Sequence, residues 1–178
     1  MIRDYRDIEL TVERPTPIDK EVVWDKSKVI ISETDVYGRI TNVNDVFCTV
    51  CGYTAAEMIG QPHSIIRHPD MPKITFKLLW DNLKVGNNFI GVIKNLAKSG
   101  EYYWVITDFE VGRNIIGDVV TIMARQHSVP KYVITTPNSF FMQFVIEQAL
   151  RPLAHGRKAE GGKNEYTKVS PKTAQNAT

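Results

Sequence analysis

No stretch of the 178-residue chain approaches the ~18 to 20 consecutive apolar residues that a membrane-spanning helix needs. The opening Met1-Ile2-Arg3-Asp4-Tyr5 lacks the apolar core of a secretory signal. Cysteine is scarce: Cys48 and Cys51 are the only two, too few for an extracellular disulfide framework and in keeping with a reducing compartment. These absences lead us to expect a cytoplasmic protein. A strong charge of one sign is missing too. The net charge is +2, and residues 154–178 hold Arg157, Lys158, Lys163, Lys168 and Lys172 against Glu160 and Glu165, so the remainder is close to neutral. A basic face for nucleic acid is therefore not expected. There is no phosphate-binding Gly-Lys-Ser/Thr loop, no Gly-x-Ser-x-Gly and no kinase signature, so no enzyme is expected from motifs.

At 43% hydrophobic and 24% charged residues, the composition suits one globular domain with extensions. Residues 1–27 read as an irregular or helical N-terminal arm, split by Pro15 and Pro17, with Val22 to Trp24 covering an edge of the core. Lys28 to Thr34 and Arg39 to Val43 flank the turn residues Asp35-Val36-Tyr37-Gly38 and predict a β-hairpin. Asn44 or Asp45 then caps a helix that carries Val46, Phe47, Val50 and Cys51 and ends at Gly52. Thr54 and Glu57 have capping-box spacing for a second short helix. Lys73 to Val85 is amphipathic and closed by Gly86, and three strands follow over 88–98, 101–112 and 116–128. This order predicts an α+β fold: a five-stranded antiparallel sheet with short helices over one face and a cleft between them. Residues 129–153 read as a linker and a C-terminal amphipathic helix, opened by Thr136-Pro137 and apolar through Phe140, Phe141 and Phe144. That helix either packs on the chain's own sheet or forms an interface, as a homodimer or with a signalling protein. Residues 154–178 read as a disordered basic tail.

The stretch Ile59 to Pro72 sets His63, Arg67, His68 and Asp70 between three prolines, so polar side chains are held on a stiffened loop. Arg67 and His68, just before a helix start at Lys73, suit an anionic group. The competing reading is a local salt bridge of Arg67 with Asp70 or Asp81. Phe89, Gly91, Ile93 and Asn95 alternate on one side of a predicted strand. With Trp104, they offer the apolar walls and polar edge that a planar ring needs. Core packing is the alternative for both aromatics. His63 and His68 also invite a haem reading, against a surface or anion contact. Cys48 and Cys51 read as small buried hydrophobes, not a metal or redox pair.

Thr34 to Phe47, Cys51-Gly52-Tyr53-Thr54 and Glu57 to Pro62, in that order, resemble the PAS domain family over roughly residues 28–128. The run Arg67-His68-Pro69-Asp70-Met71-Pro72 resembles one branch of it, the FAD-binding PAS domains of bacterial aerotaxis and energy-taxis receptors. That resemblance implies non-covalent FAD, with Arg67, His68 and Asp70 at the cofactor and Asn44 tied to its retention. Phe89 stands where relatives often carry tryptophan. The resemblance also implies a redox or energy-taxis sensor that passes its state to a membrane-bound or chemoreceptor-like partner. A ligand-free or haem-binding PAS interaction module is the alternative, and a small flavin reductase the third.

Overall fold

The computed structural model describes residues 13–130. The sheet comprises β1 (Ile30–Asp35), β2 (Ile40–Val43), β3 (Phe89–Leu96), β4 (Tyr102–Arg113) and β5 (Val119–Ser128). All pairings are antiparallel, in the spatial order β2-β1-β5-β4-β3. Helices α1 (Asp45–Cys51), α2 (Ala55–Met58) and α3 (Lys73–Lys84) connect β2 to β3. The α+β expectation and its five strands hold. The expected C-terminal helix, the basic tail and residues 1–12 of the arm lie outside the described residues.

Local chemistry accounts for the helix ends. Asn44 caps α1 by accepting from the Phe47 N–H, and Gly52 ends it in the left-handed region at φ 74°. At α2 both halves of the Thr54–Glu57 capping box form. The Pro-rich loop is not wholly irregular: His63–Ile66 makes one 3-10 turn.

Strand alternation sorts the sheet into two faces. Tyr103, Val105, Thr107 and Phe109 of β4 are buried, and they register with Asn95, Ile93, Gly91 and Phe89 of β3. On the same face, Ile122, Ala124 and Gln126 of β5 and Ile30, Ser32 and Thr34 of β1 complete the layer beneath the helices. This layer does not close into one core. One cluster gathers Ile30, Phe47, Met58, Ile93, Tyr103 and Val105; a second gathers Leu79, Leu83, Phe89, Phe109 and Ile122; Phe76 packs against both. The cleft lies at this division.

Beyond Pro17 the arm is extended, not helical. The Ile18 N–H donates to the Gly100 carbonyl (2.8 Å), Val22 N–H to the Tyr102 carbonyl (2.8 Å), and Tyr102 N–H back to the Lys20 carbonyl (2.9 Å). The arm thus runs as an extra, parallel edge along the β3–β4 hairpin. Gly100 sits at φ +86°, and a Cβ there would meet the Thr16 carbonyl oxygen at 2.4 Å. Gly100→Ala is therefore expected to cost about 1–2 kcal/mol in urea unfolding. It should also speed amide exchange at Ile18; unchanged exchange there would mean that the arm does not depend on this close approach.

The two outer strands share one cover. At β2, Ile40 N–H donates to Gln61 O (2.8 Å) and Gly60 N–H to Ile40 O (2.8 Å). At β3, Arg67 bridges Asn95, and His68 N–H donates to Lys94 O (3.3 Å). One segment, 60–68, therefore crosses from one sheet edge to the other over the mouth of the cleft.

Candidate functional site

The cleft is walled by Phe76, Leu79, Trp80 and Leu83 of α3 on one side and by Ile93, Phe109, Ile122 and Ala124 of the sheet on the other. Polar groups enter from the sheet (Thr34, Asn95, Thr107, Gln126) and from the crossing segment (His63, Ser64, Arg67). Its volume is about 70 Å³, well below the ~300–1,000 Å³ of small-molecule clefts. α3 therefore lies close on the sheet. Gly38 belongs to the mouth because a Cβ there would touch the Trp80 ring at 2.9 Å.

Asn95 Nδ2 donates to Gln126 Oε1 across 3.0 Å in a buried pair. Gln126 Nε2 is buried with no hydrogen-bond partner among the described residues. An unpaired buried amide donor costs about 1–3 kcal/mol, so this atom is a ready reader of an acceptor placed in the cleft. His63 is joined to the buried Ser32 hydroxyl (Oγ to Nε2, 2.9 Å) and meets the Phe47 ring edge-on. It is half-buried and lines the cleft. Burial lowers its pKa from 6.5 to about 4, so the imidazole is neutral at pH 7.

Four of the seven sequence candidates stand at or just behind this cleft or its frame. Asn95 lines it. Arg67 lines it too, with the guanidinium 3.7 Å from the Phe76 ring centroid, a stacked cation–π contact and not the salt bridge considered above. Phe89 stands one layer back: its ring packs on Phe109 (6.4 Å between centroids) and lies over Gly91, where a Cβ would meet it at 3.0 Å. Asn44 frames the site without facing it. Its Oδ1 accepts from Phe47 N–H (2.9 Å) and Ile31 N–H (3.1 Å), and its Nδ2 donates to Val29 O (2.9 Å), fastening β1 to α1.

The other three are elsewhere. His68 is 3% exposed and contacts the Tyr102 ring edge-on, on the outer side of the β3 edge. Its Nδ1 lies near both Asp70 Oδ2 (3.4 Å) and the Asp70 N–H (3.2 Å). Burial, with Lys94 nearby, lowers the His68 pKa, so Nδ1 accepts from the N–H and no ion pair forms. Asp70 is exposed and bonded to Lys94 Nζ (2.9 Å), which holds its pKa below the usual carboxylate range. Trp104 registers with Lys94 on the sheet face away from the helices, because it is one residue out of phase with Tyr103 and Val105.

Gln126 and Thr107 went unselected in the sequence, and His63 was weighed there only as a haem ligand or a surface or anion contact. Gln126 had a signal: it shares the phase of Ile122 and Ala124 on β5, and a polar side chain on the buried phase of a strand needs a reason. The place of His63 at the cleft had none, since a histidine after a proline reads as surface until the crossing segment is seen to turn it inward. Cys51 is buried and its thiol is pushed up to about 12 by burial, so it stays protonated and inert, while Cys48 is partly buried. Among the described residues no cluster suits a metal ion, and no helix is long and apolar enough to cross a membrane.

A five-stranded antiparallel sheet in this order, with short helices roofing a cleft, is the PAS fold. Residues 40–124 match the family described as PAS fold, so the chain carries a PAS domain. Within that fold the chain is similar to the aerotaxis receptor of Escherichia coli K12, at 49% identity over 76 residues, which is 43% of this chain and 15% of the receptor. It is also similar to the nitrogen fixation regulatory protein of Klebsiella pneumoniae, at 25% identity over 71% of this chain and 23% of that protein. The light-state structure of the blue-light photoreceptor Aureochrome1 LOV superposes with a TM-score of 0.57 at 17% identity, covering 67% of this chain and 91% of that one. The chain thus spans under a quarter of the length of these two curated relatives.

Proposed function

We propose that the domain is a cytoplasmic sensor that holds FAD non-covalently in the cleft and hands the flavin's redox state to a separate, chemoreceptor-like signalling partner. The observation that carries this reading is the buried Asn95–Gln126 amide pair with its spare Nε2 donor, set at the polar edge of an otherwise apolar slot. The similarity to an aerotaxis receptor supports the same chemistry.

The donor set suits a planar heteroaromatic ring: apolar walls above and below, amides and the Thr107 hydroxyl along one edge, and a stacked guanidinium at the mouth. Space is the constraint. A ring of flavin size needs the α3 wall to move outward, displacing the apolar contacts of Phe76, Leu79 and Leu83 from the sheet. When bound, FAD supplies reversible electron storage. The chain's own part is to hold the ring edge: Gln126 keeps Oε1 on Asn95 and offers Nε2 to an acceptor, and a 180° turn of its amide offers Oε1 to a donor instead. That turn breaks the bond to Asn95, and a mismatch of about 1–3 kcal/mol in a buried site is enough to shift a two-state element. β4 and β5, which carry Thr107 and Gln126, transmit it to the sheet face away from the helices.

Freshly purified protein that is yellow and releases FAD on heating supports the reading; a colourless preparation that takes up no added FAD overturns it. Arg67→Ala is expected to weaken FAD binding about tenfold, the worth of one charge-assisted contact, with far-UV circular dichroism unchanged. Neither histidine favours the haem alternative, because His63 Nε2 is engaged by Ser32 and His68 lies on the outer side of the β3 edge.

A further inference from the structure

A second hollow adjoins the cleft, sharing Ser64, Arg67 and Trp80 with it. Its rim is cationic: Arg14, Arg67, Lys73, Lys77 and Lys84 line it, and the one carboxylate among its lining residues, Asp81, is engaged by Lys77. Arg14 belongs to the arm, four residues before the first of the arm's hydrogen bonds to the β3–β4 hairpin at Ile18. Its Nε and Nη2 are shut off from solvent and have no hydrogen-bond partner among the described residues. Burial, and after it the like charge of nearby Arg67, lowers the Arg14 pKa. Two guanidinium groups turned to one hollow, one with stranded donors, are costly unless an anion sits between them.

We propose that Arg14 and Arg67 form one two-guanidinium site for a diphosphate-class anion at the mouth of the cleft, and that filling it fastens the N-terminal arm to the domain. The site rests on the flavin reading only for one source of its ligand, the diphosphate of FAD; a free diphosphate presents the same chemistry. Forked guanidinium donors match paired phosphate oxygens better than the surrounding lysines do. The arm thereby becomes part of the binding site, and its seating follows occupancy.

The test uses the full chain stripped of flavin. Calorimetric titrations with inorganic pyrophosphate, FAD and riboflavin compare wild type, Arg14→Gln and Arg14→Lys; the lysine variant keeps the charge without the fork and serves if the glutamine variant does not fold. Amide exchange at Ile18 and Val22 is followed with and without pyrophosphate. Arg14→Gln should weaken pyrophosphate and FAD by about tenfold or more and leave riboflavin unchanged. Pyrophosphate should slow exchange at Ile18 and Val22 in wild type only. Equal pyrophosphate affinity in wild type and both variants, or no pyrophosphate binding by wild type, overturns the proposal. The two readings separate cleanly. Arg14-dependent pyrophosphate binding without riboflavin binding keeps this site and removes the flavin, whereas riboflavin binding with pyrophosphate and FAD affinities unaltered in both Arg14 variants does the reverse.

Discussion

Asn44→Ala is expected to lower the unfolding free energy by about 3 kcal/mol. The side chain makes three hydrogen bonds to backbone: it caps α1 through Phe47, and it holds Ile31 of β1 and Val29 just before that strand. Alanine leaves two N–H groups and one carbonyl to find other partners in a half-buried setting, and each such loss is worth about 1 kcal/mol. Asn44→Asp separates the parts. A carboxylate still accepts from Phe47 and Ile31 but repels the Val29 carbonyl, so a loss of about 1 kcal/mol is expected. Urea unfolding at pH 7 measures both. If the alanine and aspartate variants lose equally, the cap contributes little and the bond to Val29 carries the effect.

Acid should unfold the domain through His63. The imidazole titrates at its ordinary value in the unfolded chain but only at about 4 when folded, because burial disfavours its charged form. The unfolded state thus takes up a proton first as pH falls. The stability attached to His63 is complete above pH ~6.5 and is lost progressively down to pH ~4, to a total of about 3 kcal/mol at most. His68 is shifted the same way by burial and by Lys94, and so adds to the loss below its ordinary value. Asp70 is likewise shifted down, held low by the hydrogen bond from Lys94, and its contribution disappears only at more acid pH. His63→Gln keeps a partner for Ser32 and cannot titrate. Urea midpoints at pH 7 and pH 4.5 should fall steeply for wild type and less for the variant; parallel falls would assign the acid sensitivity to other groups.

The strands, the capped helices and their order were legible because each rests on short-range chemistry: β-branched alternation, the Thr54–Glu57 box, glycines where the backbone turns left-handed. The site was legible only in part. Asn95 could be placed because its phase on β3 matches Phe89 and Ile93, and Arg67 because the stiff loop could lead only toward a rim. Trp104 was misplaced by one position of phase on β4, enough to send a side chain through to the other face. His68 is the same kind of error: Arg67 turns to the cleft and its neighbour His68 to the outside of the edge it pairs with, a distinction set by pairing with Lys94 and Asn95, far along the chain. Arg14 could not be found from sequence, since nothing in an arm of mixed charge announces which cation the fold will shelter.

The segment 60–68 acts as a drawstring. It grips β2 at one margin and β3 at the other, so the two rims of a twisted five-strand sheet cannot drift apart independently. A strain introduced beneath α3 is felt at both margins at once, at Ile40 on one side and at Lys94 and Asn95 on the other.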